Sequence, residues 1–230
     1  VLAPGGSTTE NARLPPDARY PAALARRLAA ARPDLEVEVL NAGRAWYGSK
    51  HSLINYVTHV HAWRPDVVVV MHGINDLYRS FSDPDRALGP YHPQWTHFYG
   101  AAFHGAKPRT LEDLWLGGIG RRWFSRLRVR EEDWPLAAYR SLPASRAFLG
   151  RLLEAVQADG ATALLVPQPS LLAPDPPPEA RRRLVFGEAF CKERRSFFEI
   201  AHPSPASLDR ALRAYHALVR EVARARGALV

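Results

Sequence analysis

Apolar residues along this 230-residue chain fall into two alternating patterns. Short runs rich in valine and leucine, Val1-Leu2-Ala3, Val37–Leu40, Val67–Met71 and Ala161–Val166, have the length of strands, and the first three lead into polar turns that contain glycine. Between the runs, apolar positions recur at spacings of three and four. Tyr20, Leu24 and Leu28 predict a helix from Pro21 to about Ala31, and Leu53, Tyr56, Val57 and Val60 predict one over Ser49–Trp63. Phe148, Leu152, Leu153 and Val156 mark Ser145–Ala158, closed by Asp159-Gly160. A last helix carries Leu208, Leu212, Tyr215, Val219 and Val222, with Ser204 as cap, Pro205 in the first turn and Gly227 as stop. Alternating strands and helices predict an α/β fold. Its form would be a three-layer α/β/α, flavodoxin-like sheet of parallel strands with helices on both faces and right-handed crossovers.

One interval breaks the alternation. From about residue 78 to 142 the chain leaves the third strand and returns to a helix far later than the few residues usual for such a connection. It holds Trp95, Trp115, Trp123 and Trp134 with Phe98, Tyr99, Phe103 and Phe124. These rings suit a lid or substrate wall, and equally a small core of the insertion itself. Membrane docking is a third reading. Residues 1–230 are expected to form one domain with this insertion. Pro174–Pro178 reads as a stiff loop after the fourth strand.

Composition narrows the function classes. The formal charge of +8 comes from 31 basic against 23 acidic residues, and lysine occurs only at positions 50, 107 and 192. Such a field attracts polyanions. The arginines are nonetheless scattered, and Arg181-Arg182-Arg183 and Arg194-Arg195 read as solvated faces, so no nucleic-acid partner is expected. The single cysteine, Cys191, excludes an internal disulfide. No apolar run approaches the roughly 20 residues that cross a bilayer. His59, His61, His72, His92, His97 and His104 show no zinc-ligand spacing and read as structural or surface residues. No metal or organic cofactor is expected.

Candidate chemistry lies in three turns. Ser7 sits in Gly5-Gly6-Ser7-Thr8-Thr9 after the first strand, Asn41-Ala42-Gly43 follows the second, and Gly73-Ile74-Asn75-Asp76 follows the third. In an open parallel sheet, turns at the carboxyl ends of strands converge although the sequence separates them. Convergence would gather a hydroxyl nucleophile, a backbone N–H from Gly43 and the side-chain amide of Asn75, parts that suit acyl transfer through a tetrahedral oxyanion.

The three blocks, in this order and spacing, resemble the SGNH, or GDSL-type, hydrolases. The resemblance implies that Ser7 is the nucleophile, and that its own N–H, the N–H of Gly43 and the Asn75 side chain form the oxyanion hole. Gly6 stands where the family often has Asp, a variation the family accommodates. The family also supplies an Asp-x-x-His block after its final strand, and the sequence reaches Gly227-Ala228-Leu229-Val230 where that strand should begin. The base is therefore expected beyond Val230. Because Val1 already lies in the first strand, an upstream segment that could hold an export signal or membrane anchor is expected too. Within the chain the nearest match is Glu199-Ile200-Ala201-His202, whose carboxylate and imidazole would be orienter and base, although they precede the last helix.

The expected activity is hydrolysis of a carboxylic ester, by an esterase, a lipase or a carbohydrate O-acyl esterase, through an acyl-enzyme on Ser7. The partner would be a small-molecule or carbohydrate ester. Two alternatives share these residues: an O-acyltransferase, and a non-catalytic carbohydrate- or lipid-binding relative without a base. A nucleotide-binding domain is disfavoured, because neither a P-loop nor a Gly-x-Gly-x-x-Gly pattern is present.

Overall fold

The computed structural model describes residues 1–78, 80, 128–183, 193–194 and 199–230. In chain order its strands are β1 Leu2–Gly5, β2 Leu40–Gly43, β3 Val67–His72, β4 Arg128–Glu132, β5 Thr162–Pro167, β6 Glu193–Arg194 and β7 Glu199–Pro203. The described helices are α1 Ser7–Glu10, α2 Tyr20–Ala31, α3 Ser49–Thr58, α4 Ile74–Tyr78, α5 Ser141–Ala158, α6 Pro178–Arg183 and α7 Pro205–Ala225. The chain divides into two compact units. One comprises Val1–Leu77, Arg140–Ser170 and Leu212–Val230, and the other Tyr78–Tyr139 and Leu171–Ala211.

The first unit is built on a parallel sheet of order β2-β1-β3-β5. This is the α/β arrangement that the alternation predicts. The inner strands supply its driest part: Leu2, Ala3 and Val68–Met71 are all buried. A parallel strand covered on both sides needs such an unbroken apolar run. Leu229 adds a parallel bridge to Leu164 on the outer side of β5, donating to the Ala163 carbonyl at 3.0 Å and accepting from the Leu165 N–H at 2.9 Å.

Several predicted elements shift for local reasons. The apolar run Val37–Leu40 enters the sheet at Leu40, which lies opposite Leu2 of β1, and before it the Glu38 carbonyl accepts from the Val1 amine at 2.8 Å. Asn41-Ala42-Gly43 is therefore strand rather than the turn after it. Helix α3 ends at Thr58, and a 3-10 turn, Val60–Trp63, completes the predicted span. Its buried side includes Ser49, His51, Ser52 and Tyr56, while Val57, predicted to face inward, is exposed. On that face Ser52 meets His72 at the end of β3, and His51 bonds back to the Gly48 N–H at the start of its own helix. Helix α5 starts four residues earlier than predicted and buries Leu149 with Leu152, Leu153 and Val156, leaving Phe148 only partly covered.

Helix α7 follows its pattern closely. Leu208, Leu212, Tyr215, Val219 and Val222 are all buried, and each buried leucine contributes roughly 1.5–3 kcal/mol. Ser204 Oγ accepts the Ser207 N–H at 3.1 Å, the capping bond that the serine-proline pair predicts. Past the helix end, Gly227 adopts a left-handed φ of 62°.

The second unit contains a small sheet of order β4-β7-β6, with β4 parallel and β6 antiparallel to β7. Buried Trp134 is fixed beside it: its N–H donates to Ser207 Oγ at 2.7 Å and its Nε1 to Glu132 Oε2 at 3.2 Å. Asp133 Oδ1 accepts from Ser207 Oγ and from Arg210 Nη2, both at 2.6 Å. Trp134 thus serves as core of this unit. The other rings of the predicted lid, Trp95, Trp115, Trp123, Phe98, Tyr99, Phe103 and Phe124, lie outside the described residues, as do His92, His97, His104, Cys191 and Arg195. Arg181, predicted to be a solvated residue, forms an exposed ion pair with Glu131.

Candidate active site

Strand register brings the three turns level. Gly5 lies opposite both Gly43 and Met71, Met71 opposite Val166, and His72 opposite Pro167. Ser7 follows two residues after Gly5, and Asn75 three residues after His72, so both emerge at one edge of the sheet. The chain crosses from β1 into α1 through Gly6, whose extended backbone places Ser7 at the first position of a four-residue helix. The first amides of a helix have no intrahelical acceptor, so the Ser7 N–H heads α1 in that state. Its side chain is exposed, and among the described residues its hydroxyl has no hydrogen-bond partner.

Asn75 is buried at 9% exposure, and its Nδ2 donates to the Tyr47 carbonyl at 2.9 Å. An Asn amide carries two protons, so this bond orients the group and leaves one proton over. The nucleophile's turn passes directly beside it. A Cβ placed on Gly6 would stand 2.6 Å from Asn75 Nδ2 and 2.9 Å from the Tyr47 oxygen, so only glycine permits this approach.

The Gly43 N–H has a partner within its own turn. It donates to Asn41 Oδ1 at 2.9 Å, the side-chain turn that Asn forms with the residue two ahead. Asn41 Nδ2 in turn donates to the Thr9 carbonyl at 2.9 Å. A Cβ on Gly43 would meet the Glu10 N at 2.5 Å and Thr9 Cβ at 2.6 Å. Gly43 therefore lets α1 lie against the sheet edge, and its amide is already engaged. Of the three predicted donors, Asn75 lies against Gly6, the residue before Ser7, and the Gly43 N–H bonds to Asn41 Oδ1.

A family model described as GDSL-like lipase/acylhydrolase matches residues 3–230. The chain belongs to this family. It is an ester hydrolase of the SGNH type, and solved structures of that type share its fold at low identity. A variant of the acetylxylan esterase Axe2 from Geobacillus stearothermophilus aligns at 18% identity over 99% of this chain and 73% of that one, with a TM-score of 0.50. AlinE4, an SGNH-hydrolase family esterase, aligns at 15% identity over 99% and 72%, also with a TM-score of 0.50. No curated protein sequence matches the chain.

In this GDSL-like chain the Asn75 turn rests on the acidic residue that follows it. Buried Asp76 accepts the Ser49 N–H at 2.9 Å through Oδ1 and the Tyr215 hydroxyl through Oδ2, tying the starts of α3 and α4 to α7. Gly48 makes room: a Cβ there would lie 2.2 Å from Asp76 Oδ1. Burial and the adjacent Asp76 carboxylate both push the Tyr215 phenol well above its ordinary range, so it remains a donor at any working pH. His51 Nδ1 accepts the Gly48 N–H at 3.2 Å, which places the proton of the neutral ring on Nε2, and the ring stacks on Tyr47 with centroids 5.1 Å apart. His72, buried at the end of β3, shares a 2.7 Å hydrogen bond between Nε2 and Ser52 Oγ. Burial lowers its pKa, against the opposite pull of Asp76. It is a structural residue, as are His59 and His61, whose Nδ1 atoms lie 2.8 and 3.0 Å from the carbonyls of Thr58 and Tyr56.

Glu199 and His202 do not pair. Both belong to β7 of the second unit, and residues three apart on a strand point to opposite faces. The spacing of three brings side chains together on a helix, which this segment is not. His202 Nδ1 instead lies 3.2 Å from the Pro203 carbonyl. Among the described residues no group of three His, Cys, Asp or Glu side chains converges as metal ligands would. Residues without a predicted role are Asp76, Tyr215 and Gln168. The first two carried signals, a carboxylate fixed beside Asn75 and a tyrosine on the apolar stripe of α7. Gln168 had only its place just after a strand, which many surface residues share.

Proposed function

We propose that this family member hydrolyses carboxylic esters through an acyl-enzyme on Ser7, with acetylated carbohydrates as the first substrate class to try. Ser7 Oγ attacks the ester carbonyl, forming the Oγ–C bond while the carbonyl π pair moves onto oxygen. The resulting oxyanion takes hydrogen bonds from the Ser7 N–H and from the second Nδ2 proton of Asn75. The tetrahedral species collapses, the alkoxide leaves with a proton, and water then attacks the acyl-enzyme to release the acid and restore the hydroxyl. The base that moves these protons is assigned to none of the described histidines.

The observation that carries this reading is the contact between Gly6 and Asn75. The nucleophile follows Gly6 directly, and Asn75, already oriented by Tyr47, touches that glycine with a proton to spare. The carbohydrate part rests on the acetylxylan esterase among the similar folds, and on nothing finer. The test is to treat the full-length protein with a fluorophosphonate, locate the adduct, and assay short-chain p-nitrophenyl esters beside acetylated xylo-oligosaccharides. Labelling at Ser7, and loss of both labelling and turnover in Ser7→Ala, is the expected result. An adduct that persists in Ser7→Ala rejects the nucleophile, and turnover of aryl esters without any deacetylation rejects the carbohydrate class.

A further inference from the structure

Gln168 stands one residue beyond β5, on the far side of β3 from β1. Its side chain nevertheless touches both functional turns. Oε1 accepts the Ile74 N–H at 2.9 Å, and Nε2 donates to Thr8 Oγ1 at 2.7 Å. Thr8 is the covalent neighbour of Ser7, and Ile74 that of Asn75. We propose that Gln168 is a positioning residue that fixes the distance between the nucleophile's turn and the Asn75 turn.

This role rests on the assignment of Ser7 and Asn75 above. Neighbouring strands lie about 4.8 Å apart, so β5 and β1 are separated by about twice that, and a side chain from the end of β5 must cross over the end of β3 to reach α1. Gly73 opens the path. A Cβ on Gly73 would lie 2.8 Å from Gln168 Oε1 and 3.2 Å from its Cβ, so a side chain there would push the amide off its track. The backbone of Gln168 is itself held, with His216 Nε2 3.1 Å from its carbonyl oxygen.

Chemistry also fixes the sense of the amide. The Ile74 N–H can only donate, so oxygen must face it, and the NH2 group must then face Thr8. One planar group thus spans the two turns that have to present a hydroxyl and an oxyanion donor at a common point. Misplacing either by a fraction of an ångström lowers the rate while leaving ground-state binding little changed.

The experiment uses the full-length protein with Gln168→Leu, which keeps volume and removes both bonds, and Gln168→Glu, which keeps an acceptor for Ile74 and lets the Thr8 hydroxyl donate instead. Turnover of p-nitrophenyl acetate is normalised to the fraction of enzyme that a fluorophosphonate titrates, and exchange of the Ile74 amide is followed by NMR. Gln168→Leu should lower kcat by about ten- to a hundredfold with little change in KM, and Ile74 should exchange faster. Gln168→Glu should recover most of both. Wild-type kcat and Ile74 protection in Gln168→Leu would overturn the proposal, as would a Gln168→Glu enzyme no better than Gln168→Leu. If Gln168→Leu does not fold, Gln168→Asn, too short to reach both partners, takes its place. Turnover that is absent from the wild type, or survives Ser7→Ala, counts against the esterase reading; Ile74 exchange alone then decides whether the clamp exists.

Discussion

The carboxyl-end rim of the four-stranded sheet and the small three-stranded sheet are both held by polar groups, in opposite ways. At the rim, side chains bond to backbone: Asp76 to the Ser49 N–H and Asn75 to the Tyr47 carbonyl in the interior, and Gln168, half-buried, to the Ile74 N–H. On the small sheet itself charges pair at the surface, Arg181 on Glu131 and Arg130 Nε 3.8 Å from Glu132, while the dry bond of that unit, Trp134 N–H to Ser207 Oγ, lies beside the sheet. Buried bonds to backbone dictate where a loop lies, because each unmade one leaves a polar group dry. Exposed pairs exchange readily for water and dictate little.

Substitutions can test that contrast. Asp76→Ala should have the largest effect, because it strands the Ser49 N–H and the Tyr215 hydroxyl in the interior and costs about 2–4 kcal/mol. Urea unfolding would show it as a lower midpoint at constant slope. A loss under about 1 kcal/mol would mean that water reaches the site and that the rim is not dry. Asn75→Ala should sharpen the picture by separating chemistry from stability. Turnover of a short ester should fall about a hundredfold, the scale for one oxyanion donor, while the unfolding midpoint moves far less than in Asp76→Ala. Equal losses in both measurements would make Asn75 a structural bond and nothing more.

The same contrast explains what the sequence could reveal. The parallel sheet was legible because Val67–Met71 and the stripe Leu208, Leu212, Tyr215, Val219 and Val222 are periodic signals, and burial follows period. Ser7 and Asn75 were legible as polar residues at strand ends. The engaged amide of Gly43 was not, since whether Asn41 turns back onto it depends on the backbone angles of one residue. The polar face of α3 was missed for a related reason: His51 turns back onto the Gly48 N–H at the start of its own helix, and Ser52 meets His72, a long-range contact that no helical wheel contains. Gln168 depends on Gly73, 95 positions away, lacking a side chain. The pairing of Glu199 with His202 failed on period alone, since a spacing of three means the same face on a helix and opposite faces on a strand.

His72 gives a smaller, pH-dependent effect from the dry region. Its folded-state pKa is depressed by burial, so the native protein keeps the ring neutral while the unfolded chain takes up a proton near pH 6.5. Stability from this group is present above that pH and is lost as the pH falls below it toward the folded-state value. The difference in unfolding free energy between wild type and His72→Gln should therefore narrow progressively as acid is added below about pH 6.5. A difference independent of pH between 7 and 5 would show that the ring takes up its proton over the same pH range in the folded and the unfolded chain, against the burial that the structure gives it.

Arg181→Ala should do least. The guanidinium and its partner Glu131 are 52% and 32% exposed, and a pair this open is worth at most about 1 kcal/mol and less in salt. The expected change in stability is within about 0.5 kcal/mol and should vanish in 0.5 M sodium chloride. A loss comparable to that of Asp76→Ala, persisting at high salt, would break the comparison. It would mean that the Arg181 side chain holds α6 and β4 together by packing its methylenes rather than by charge. The control is Arg181→Met, which keeps most of the apolar stem: recovery of stability there would assign the effect to the stem, and failure to recover would return it to the ion pair.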